Sequence, residues 1–187
     1  MINQDKATLR KYWRNVRGSI SDIEDKSQSI YELMVSSDFY KDAKTVLLYW
    51  SVDSEVCTHR MIDKALSDGK KVALPKCVDS DGNMVFYCIG STDELVDGMY
   101  GIKEPPVDSD YDMNSSNSVC VVPALCFSND GFRLGYGKGY YDRFLEKFNG
   151  ISVGLCYDEC LTESLPVGIY DKKVNYIITN KRIYEIK

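Results

Sequence analysis

Short apolar runs that favour β-structure alternate along this chain with segments of helical periodicity. Residues 45–50 form a continuous run of this kind, which is typical of a strand buried on both faces of a sheet. The other predicted strands are residues 71–75, 83–88, 118–123, 151–155, 174–179 and 183–186. Because strands and helices alternate, the pattern predicts a three-layer α/β fold in which a mostly parallel sheet is flanked by helices. Sheets of this type bind ligands at the carboxyl ends of their strands.

Four segments carry the helical pattern that separates these strands. Residues 6–17 have apolar side chains at helical spacing and basic residues elsewhere. Ser21 is followed three residues later by Glu24, a capping-box pattern that predicts a second helix from this point through Met34. The other two predicted helices are residues 58–66 and 140–148. Residues 98–117 are rich in Gly, Pro, Ser, Asn and Asp, which favours a long loop and leaves open whether it acts as a lid.

The size and charge balance of the chain indicate one folded domain, and we predict a single domain over residues 1–187. The formal net charge of −5 argues against a general nucleic-acid-binding protein. The seven cysteines are odd in number and lack the paired spacing of a zinc site or a disulfide framework. The sequence has neither an apolar signal core nor a bilayer-spanning stretch. We therefore expect a cytoplasmic monomer that acts on small molecules and has neither nucleic-acid nor membrane partners.

Residues 133–143 carry three glycines at alternate positions, with Lys138 between the last two, and then regain helical character. Backbone amides that converge at such a turn, next to a helix N-terminus, favour an anion such as phosphate. The spacing is not the Walker pattern, because Gly139 follows Lys138, and it is not the GxGxxG pattern of dinucleotide-binding proteins. A glycine-rich surface turn is the alternative. The interleaved Lys, Arg, Tyr and Asp side chains favour a phosphate site with Arg133 and Lys138 as its charges.

Several charged residues elsewhere have two interpretations each from the sequence alone. Asp142 either holds Mg²⁺ beside the phosphate or stabilises the first turn of its helix. Glu55 follows a predicted strand and either accepts hydrogen bonds from a ligand or is a solvated residue near a helix start. Lys6 and Arg10 lie one helical turn apart and either neutralise phosphate or form a solvated basic face.

Structural interpretations are favoured for the remaining candidates. Trp50 is expected in the core, and His59 is expected on a helix face without an assigned role. The acidic residues Asp108, Asp110 and Asp112 lack the Gly and Glu of an EF-hand loop, so they are expected in a solvated loop rather than a calcium site.

Two adjacent segments carry a resemblance to a known family. The letters VPALCF at residues 122–127, followed by GFRLGYGKGYYDR at 131–143, closely resemble the signature of the 5-formyltetrahydrofolate cyclo-ligase family, also called 5,10-methenyltetrahydrofolate synthetases. Further segments fall in family order at residues 6–10, 55–58, 101–105 and 171–179. The resemblance therefore covers nearly the whole chain.

The resemblance implies a fold similar to the ribose-phosphate isomerase and glucosamine-phosphate deaminase type, and an ATP- and Mg²⁺-dependent reaction. By similarity, the ATP-binding residues are Lys6, Arg10, Arg133, Leu134, Gly135, Tyr136, Gly137, Lys138, Gly139, Tyr140 and Tyr141. The implied folate-binding residues are Arg10, Trp50, Glu55, Tyr136, Gly137, Lys138, Gly139 and Tyr140. The implied catalytic residues are Lys138, Arg133 and Glu55, and the implied magnesium ligands are Asp142 and Asp171.

The chain departs from the family pattern around the second magnesium ligand. Asn175 stands where the family often carries an acidic residue, and Gly168-Ile169-Tyr170 replaces a polar lead-in to Asp171. These changes alter the surroundings of the metal contact that the resemblance implies at Asp171.

The implied reaction converts 5-formyltetrahydrofolate to 5,10-methenyltetrahydrofolate and releases ADP and phosphate. The formyl oxygen is a poor leaving group, so its phosphorylation by ATP activates the carbon for attack by N10, after which phosphate leaves. Phosphoryl transfer needs positioning and charge neutralisation rather than an enzyme nucleophile, which agrees with a chain that has one histidine and no nucleophile–base motif. The alternatives are a non-catalytic module that binds a folate or a phosphorylated metabolite on the same fold, and, with less support, a sugar-phosphate isomerase.

Overall fold

The computed structural model of the protein describes residues 5–79, 82–98, 101–107, 111 and 117–187. The helices in these ranges are α1 (Lys6–Gly18), α2 (Ile23–Ser36), α3 (Asp38–Asp42), α4 (His59–Ser67) and α5 (Tyr140–Leu145). The strands of the first half are β1 (Thr45–Leu47), β2 (Lys71–Cys77), β3 (Met84–Ile89), β4 (Val96–Asp97) and β5 (Lys103–Glu104). Those of the second half are β6 (Ser118–Val122), β7 (Cys126–Ser128), β8 (Arg133–Leu134), β9 (Ile151–Leu155), β10 (Leu161–Thr162), β11 (Tyr176–Ile178) and β12 (Ile183–Glu185).

The main sheet has the strand order β12-β11-β9-β6-β1-β2-β3. Its inner pairs, from β11 across to β2, are all parallel, and only the outer strands β12 and β3 pair antiparallel with their neighbours. The central strand β1 places Val46 opposite Val72 of β2 and Val119 of β6. The prediction of a mostly parallel sheet is therefore confirmed.

Side chains of alternate residues on the inner strands enter two separate apolar clusters. On β1, Val46 and Leu48 belong to the cluster that α2, α3 and α4 cover, whereas Leu47 belongs to the cluster that α1 and α5 cover. The same alternation holds on β2 and β6, so the sheet is buried on both faces, as parallel sheets are. The predicted three-layer α/β arrangement is confirmed. The more specific likeness to the ribose-phosphate isomerase type stays a prediction.

Two predicted boundaries are wrong for identifiable physical reasons. Strand β1 ends at Leu47 rather than at residue 50. Beyond the strand, residues 49–51 form hydrogen bonds with Thr58 instead of with a neighbouring strand: for example, Thr58 Oγ1 donates to the Tyr49 carbonyl oxygen at 2.5 Å. The capping box at Ser21 and Glu24 does not form. Asp22 is instead the N-cap residue of α2, in a left-handed conformation and without a capping hydrogen bond from its side chain.

The structure adds short elements that the sequence pattern did not indicate. They are α3, the antiparallel pair of β4 and β5, of which only β5 lies within the predicted 98–117 loop, and a small sheet of order β10-β7-β8. Helix α5 is also shorter than predicted, since it ends at Leu145. The remaining parts of the proposed lid (99–100, 108–110 and 112–116), including Asp108, Asp110 and Asp112, lie outside the described residues.

The small sheet matters because it starts the glycine-rich segment. Strand β7 follows β6 after three residues and pairs antiparallel with β8, with Phe127 opposite Arg133. The chain thus leaves the carboxyl end of a central strand, makes a hairpin and enters the glycines at that edge of the sheet. None of the seven cysteines forms a disulfide, and four of them are buried: Cys120, Cys126, Cys156 and Cys160. None of the helices in the described ranges combines the length and apolar character that crossing a bilayer requires.

Candidate active site

The glycine-rich loop between β8 and α5 passes directly against helix α1. Gly137 adopts φ +109°, and a Cβ atom at this position would lie 3.1 Å from the guanidinium carbon of Arg10. Gly139, at φ +73°, is the N-cap residue of α5. A side chain would strain both positions, and at Gly137 it would also fill the space beside Arg10. The glycines therefore bring the backbone close to a cation.

Two cations of this loop region have no carboxylate partner within the described part of the chain. Arg10 donates from Nε to the Gly135 carbonyl oxygen at 2.9 Å, which ties α1 to the loop. Lys138 is exposed, and its ammonium makes neither a hydrogen bond nor an ion pair with any described residue. Because no described carboxylate neutralises their charges, these residues favour an anion at the loop.

Two further cations are paired with the two aspartates of the predicted metal site. The Arg133 guanidinium, of which 4% of the side chain is exposed, lies 2.9 Å from Asp142 Oδ1. The Lys6 ammonium donates to Asp171 Oδ2. Burial raises the pKa of Asp171, but the Gly168 N–H and the Lys6 ammonium outweigh it and hold that pKa below its ordinary value. Both aspartates are therefore held close to a positive charge.

The backbone next to Asp171 contacts the carboxylate of Asp142. The backbone N–H of Lys172, the residue after Asp171, donates to Asp142 Oδ1 at 3.1 Å. Arg133 Nη1 donates to the Lys172 carbonyl oxygen at 3.3 Å. The chain at 171–172 is thus fixed to the start of α5, which brings the Lys6–Asp171 and Arg133–Asp142 pairs together.

A second chain of hydrogen bonds joins the loop to Glu55. The Tyr136 hydroxyl donates to Glu55 Oε1 at 2.5 Å, and the Val52 N–H donates to Glu55 Oε2 at 3.1 Å. Burial and the Glu55 charge raise the pKa of Tyr136 to about 12, so the phenol keeps its proton at neutral pH. Glu55 is therefore oriented as an acceptor at the edge of the loop.

Arg17 is a member of this network that the sequence interpretation missed. It is buried, and it donates to the Tyr136 hydroxyl at 2.9 Å, the Ala124 carbonyl at 3.1 Å and Ser54 Oγ at 3.2 Å. The signal was present in the sequence, because Lys6, Arg10 and Arg17 share one face of α1 at helical spacing. Extending the basic face by two turns would have found it.

Comparison with known proteins identifies the family of this chain. The model of the "5-formyltetrahydrofolate cyclo-ligase family" matches residues 2–180. The chain belongs to this family. Among curated relatives, the probable 5-formyltetrahydrofolate cyclo-ligase of Schizosaccharomyces pombe is 30% identical, with 95% of this chain and 96% of the relative covered. The Escherichia coli K12 5-formyltetrahydrofolate cyclo-ligase is 34% identical, with 76% of this chain and 81% of the relative covered.

Solved structures agree with the family assignment. The Aquifex aeolicus 5,10-methenyltetrahydrofolate synthetase superposes with a TM-score of 0.85 at 30% identity, covering 97% of this chain and 93% of that one. The Mycoplasma pneumoniae 5,10-methenyltetrahydrofolate synthetase has a TM-score of 0.73 at 24% identity and supports the fold alone. As a cyclo-ligase family member, the protein is an enzyme of the ligase class, which agrees with the interpretation from the sequence.

Asn175, where cyclo-ligases often carry an acidic residue, has a structural role in this chain. Its Oδ1 accepts from the Ser152 N–H at 2.8 Å and from Ser152 Oγ at 2.9 Å. The side chain thus links β9 to the segment before β11. The altered residues Ile169 and Tyr170 are highly exposed, at 88% and 76%.

Trp50 is placed differently from the other folate-contact candidates of the cyclo-ligase pattern. It is half-buried, and its ring stacks on His59 with centroids 3.9 Å apart. His59 Nε2 in turn lies 3.2 Å from the Ser51 carbonyl oxygen. One face of the Trp50 ring is therefore covered by His59, which the sequence interpretation left without a role.

Proposed function

We propose that this protein converts 5-formyltetrahydrofolate to 5,10-methenyltetrahydrofolate with ATP and Mg²⁺, releasing ADP and phosphate. The observation that carries the proposal is a pair of cations, Arg10 and Lys138, that have no carboxylate partner among the described residues and lie at a glycine loop hydrogen-bonded to Glu55. An anion site and an oriented carboxylate acceptor thus share one loop. This is the arrangement that a family member needs to bring a nucleotide and a folate together.

The phosphates of ATP are bound by the loop backbone and by cations on both sides of it. Lys6 and Arg10 approach from α1, and Lys138 projects from the loop itself. Arg133 is largely buried against Asp142, so its charge acts on the phosphates from the buried side of the loop. In phosphoryl transfer, positioned amides and cations stabilise charge that develops on the transferred group.

Asp142 and Asp171 hold Mg²⁺ when the nucleotide is bound. The described residues contain no group of three or more metal-ligating side chains. The Asp142 and Asp171 carboxylates nevertheless suit Mg²⁺, which is commonly bound by one or two carboxylates, with water and substrate phosphate as its other ligands. The ion neutralises phosphate charge and supports the in-line geometry of the transfer.

The folate is bound on the Glu55 side of the loop. A carboxylate oriented by Tyr136 and the Val52 N–H is suited to accept hydrogen bonds from the N–H groups of a pterin ring. Trp50, Arg10 and the loop residues Gly137, Gly139 and Tyr140 supply further contacts. The enzyme then positions the formyl oxygen for phosphorylation, and N10 attacks the activated carbon as phosphate leaves.

The test is to mix the protein with ATP, Mg²⁺ and 5-formyltetrahydrofolate and to follow the near-ultraviolet absorbance of the methenyl product. We expect product only when all three are present. A folded protein that forms no ATP-dependent product contradicts the proposal, and tight calorimetric binding without turnover would instead favour a non-catalytic binding module.

The metal assignment has its own measurement. Asp142→Asn removes a carboxylate charge, so we expect the Mg²⁺ concentration for half-maximal rate to rise by about tenfold or more. Asp158→Asn, which removes a carboxylate paired with Lys181, serves as the control. An unchanged magnesium dependence in Asp142→Asn would remove this role.

The remaining expectations on assembly are proposals as well. We propose that residues 1–187 act as one domain and that the enzyme works as a monomer on small molecules. Light scattering coupled to gel filtration measures the mass directly. The cytoplasmic location expected from the sequence stays a prediction.

A further inference from the structure

The side chain of Arg143 on α5 joins the glycine loop to the turn between β2 and β3. Its Nη1 donates to the Lys138 carbonyl oxygen at 2.8 Å, five positions back along the chain, and to the Gly82 carbonyl oxygen at 3.4 Å, 61 positions back. Tyr140 supports the same junction, because its hydroxyl donates to the Asp79 carbonyl oxygen at 3.0 Å. Two side chains of α5 thus hold the β2–β3 turn against the loop.

Gly82 lets the turn and the glycine loop approach each other closely. It is buried, and its φ of +96° lies in the region that favours glycine. A Cβ atom at this position would lie 2.1 Å from Arg143 Nη1 and 2.6 Å from the Lys138 carbonyl oxygen. Any other side chain here would displace the guanidinium, the carbonyl or both. The contact between Arg143 and Lys138 therefore depends on a glycine in a separate segment of the chain.

The hydrogen bond from Arg143 restrains the peptide group between Lys138 and Gly139. In a planar trans peptide, the carbonyl and the N–H point to opposite sides. Because the Lys138 carbonyl faces the guanidinium, the Gly139 N–H faces away from it, and this N–H donates to no residue that the structure describes. The same peptide plane contains the Cα atom of Lys138, whose side chain is exposed. Arg143 thus orients two groups of the glycine loop that are available to an anion, a backbone donor and an ammonium.

We infer that Arg143 is a positioning residue for the anion site: it holds the Lys138 carbonyl so that the Gly139 N–H and the Lys138 ammonium are directed at the phosphates of the nucleotide. The inference rests on the proposed function for the identity of that anion. Arg143 acts here through the loop, since its Nη1 is engaged by two carbonyl oxygens. Donors that are oriented before the substrate binds need no rearrangement while charge develops on the transferred phosphoryl group.

Arg143→Met tests the inference, because it keeps most of the aliphatic chain and removes the donor. Calorimetric titration with a non-hydrolysable ATP analogue and Mg²⁺ gives the Kd. We expect the Kd to rise by about tenfold, the ordinary effect of losing one hydrogen bond that orders a site. Arg60→Met is the matched control, since Arg60 is also exposed and donates to Gln28, but lies on α4 at the other face of the sheet. This control should bind the analogue as tightly as the wild type.

Salt separates positioning from a direct charge contact. If the guanidinium bound phosphate through its charge, salt would screen that contact, and the Kd of Arg143→Met would approach that of the wild type as salt rises. A hydrogen bond that orients the loop keeps its effect, so we expect the ratio of the two Kd values to stay within about twofold from about 50 to about 300 mM NaCl. A ratio that falls towards one at the higher salt concentration overturns the positioning role.

Gly82→Ala disturbs the same contact from the other side while it keeps the Arg143 charge. The added Cβ displaces the guanidinium or the Lys138 carbonyl, so we expect the Kd for the analogue to rise in this variant as well. Gly69→Ala is its control, because Gly69 also has a positive φ, of +72°, but a Cβ there meets nothing within 4 Å. Both variants should lower the melting temperature through backbone strain, and only Gly82→Ala should weaken binding. Equal binding of the analogue by the two variants would contradict the inference.

A purely structural role for Arg143 gives a different pattern. It would lower the melting temperature of Arg143→Met and leave the Kd of the folded protein unchanged. If the wild type binds the analogue and Arg143→Met binds it as tightly, the inference alone is overturned. If the wild type does not bind the analogue, the nucleotide part of the proposed function and the inference are overturned together.

Discussion

At the scale of single residues, Lys138 is the clearest functional test, because nothing in the described structure uses its charge. Lys138→Ala should leave stability unchanged but lower kcat/KM for ATP by about 100-fold, which corresponds to about 2.7 kcal/mol of lost transition-state stabilisation. Steady-state kinetics with varied ATP measures this effect. Lys147→Ala removes another exposed lysine just beyond α5 and should have wild-type kinetics. Equal kinetics in the two variants would show that Lys138 does not bind ATP.

The thiol of Cys57 is a second residue whose environment sets a measurable property. A hydrogen bond with the His59 side chain, opposed by burial, lowers the pKa of Cys57 to about 7, whereas burial raises the pKa of Cys77 above its ordinary value. The thiolate is the reactive form. Alkylation of Cys57 by iodoacetamide should therefore rise with pH through about 7 and level off above it, while alkylation of Cys77 continues to rise beyond pH 9.

Peptide mapping by mass spectrometry gives the labelling rate of each cysteine at each pH. His59→Gln should move the midpoint for Cys57 upwards towards its ordinary value near 9. Cys77 is comparably half-buried and lies in the same chain, so it controls for reagent and exposure. A Cys57 profile that follows that of Cys77 in the wild type would refute the assignment.

At the scale of elements, helix α1 contributes basic side chains to the site from both of its ends. Its first two turns carry Lys6 and Arg10, and its last turn carries the buried Arg17. Arg17→Met keeps the aliphatic volume but leaves the Ala124 carbonyl and the Ser54 hydroxyl without this donor. We expect the free energy of unfolding to fall by about 2 kcal/mol, and the KM for folate to rise because Tyr136 loses an anchor.

Urea denaturation and steady-state kinetics measure the two effects of Arg17→Met. Arg14→Met lies on the exposed face of the same helix and should change the free energy of unfolding by no more than about 0.5 kcal/mol. If the Arg17 variant matches the Arg14 variant in both measurements, the contacts of Arg17 with the loop affect neither stability nor folate binding.

The elements also show what could be predicted from the sequence. The boundaries of β9 and the start of α1 were predicted correctly, because a dense apolar run and a helical period identify them locally. Strands β7, β8 and β10 have two or three residues each and exist only because they pair with one another, so no local pattern predicts them.

The contacts of the candidate site also include some that could be predicted from the sequence and some that could not. Lys6, Asp142 and Asp171 were predicted by resemblance, and the structure brings them together. The connection from Arg17 through Tyr136 to Glu55 was not predicted, because it joins residues up to 119 positions apart and depends on tertiary packing. Asn175 is visible in the sequence as a departure from the family pattern, but the sequence does not explain it. The structure does, through the hydrogen bonds of Asn175 to Ser152.

At the scale of the whole molecule, the site depends on how closely the small sheet packs on the main one. Gly154 of β9 lies beneath the ring of Phe127 of β7, and Phe127 pairs across the hairpin with Arg133. The fully buried Phe127 can approach the main sheet because Gly154 has no side chain. The packing of two sheets therefore determines where the guanidinium of Arg133 lies.

Gly154→Ala tests this dependence. The added Cβ would lie 2.4 Å from two ring carbons of Phe127, so the ring and its hairpin must shift. We expect the free energy of unfolding to fall by about 1–3 kcal/mol and the KM for ATP to rise, because Arg133 moves with the hairpin. Urea denaturation and kinetics with varied ATP measure the two changes. Gly18→Ala is the control, since a Cβ there meets nothing within 4 Å and its addition should leave stability unchanged or raise it by up to about 1 kcal/mol. A Gly154→Ala variant that behaves like Gly18→Ala in both measurements would show that the two sheets do not set the position of Arg133.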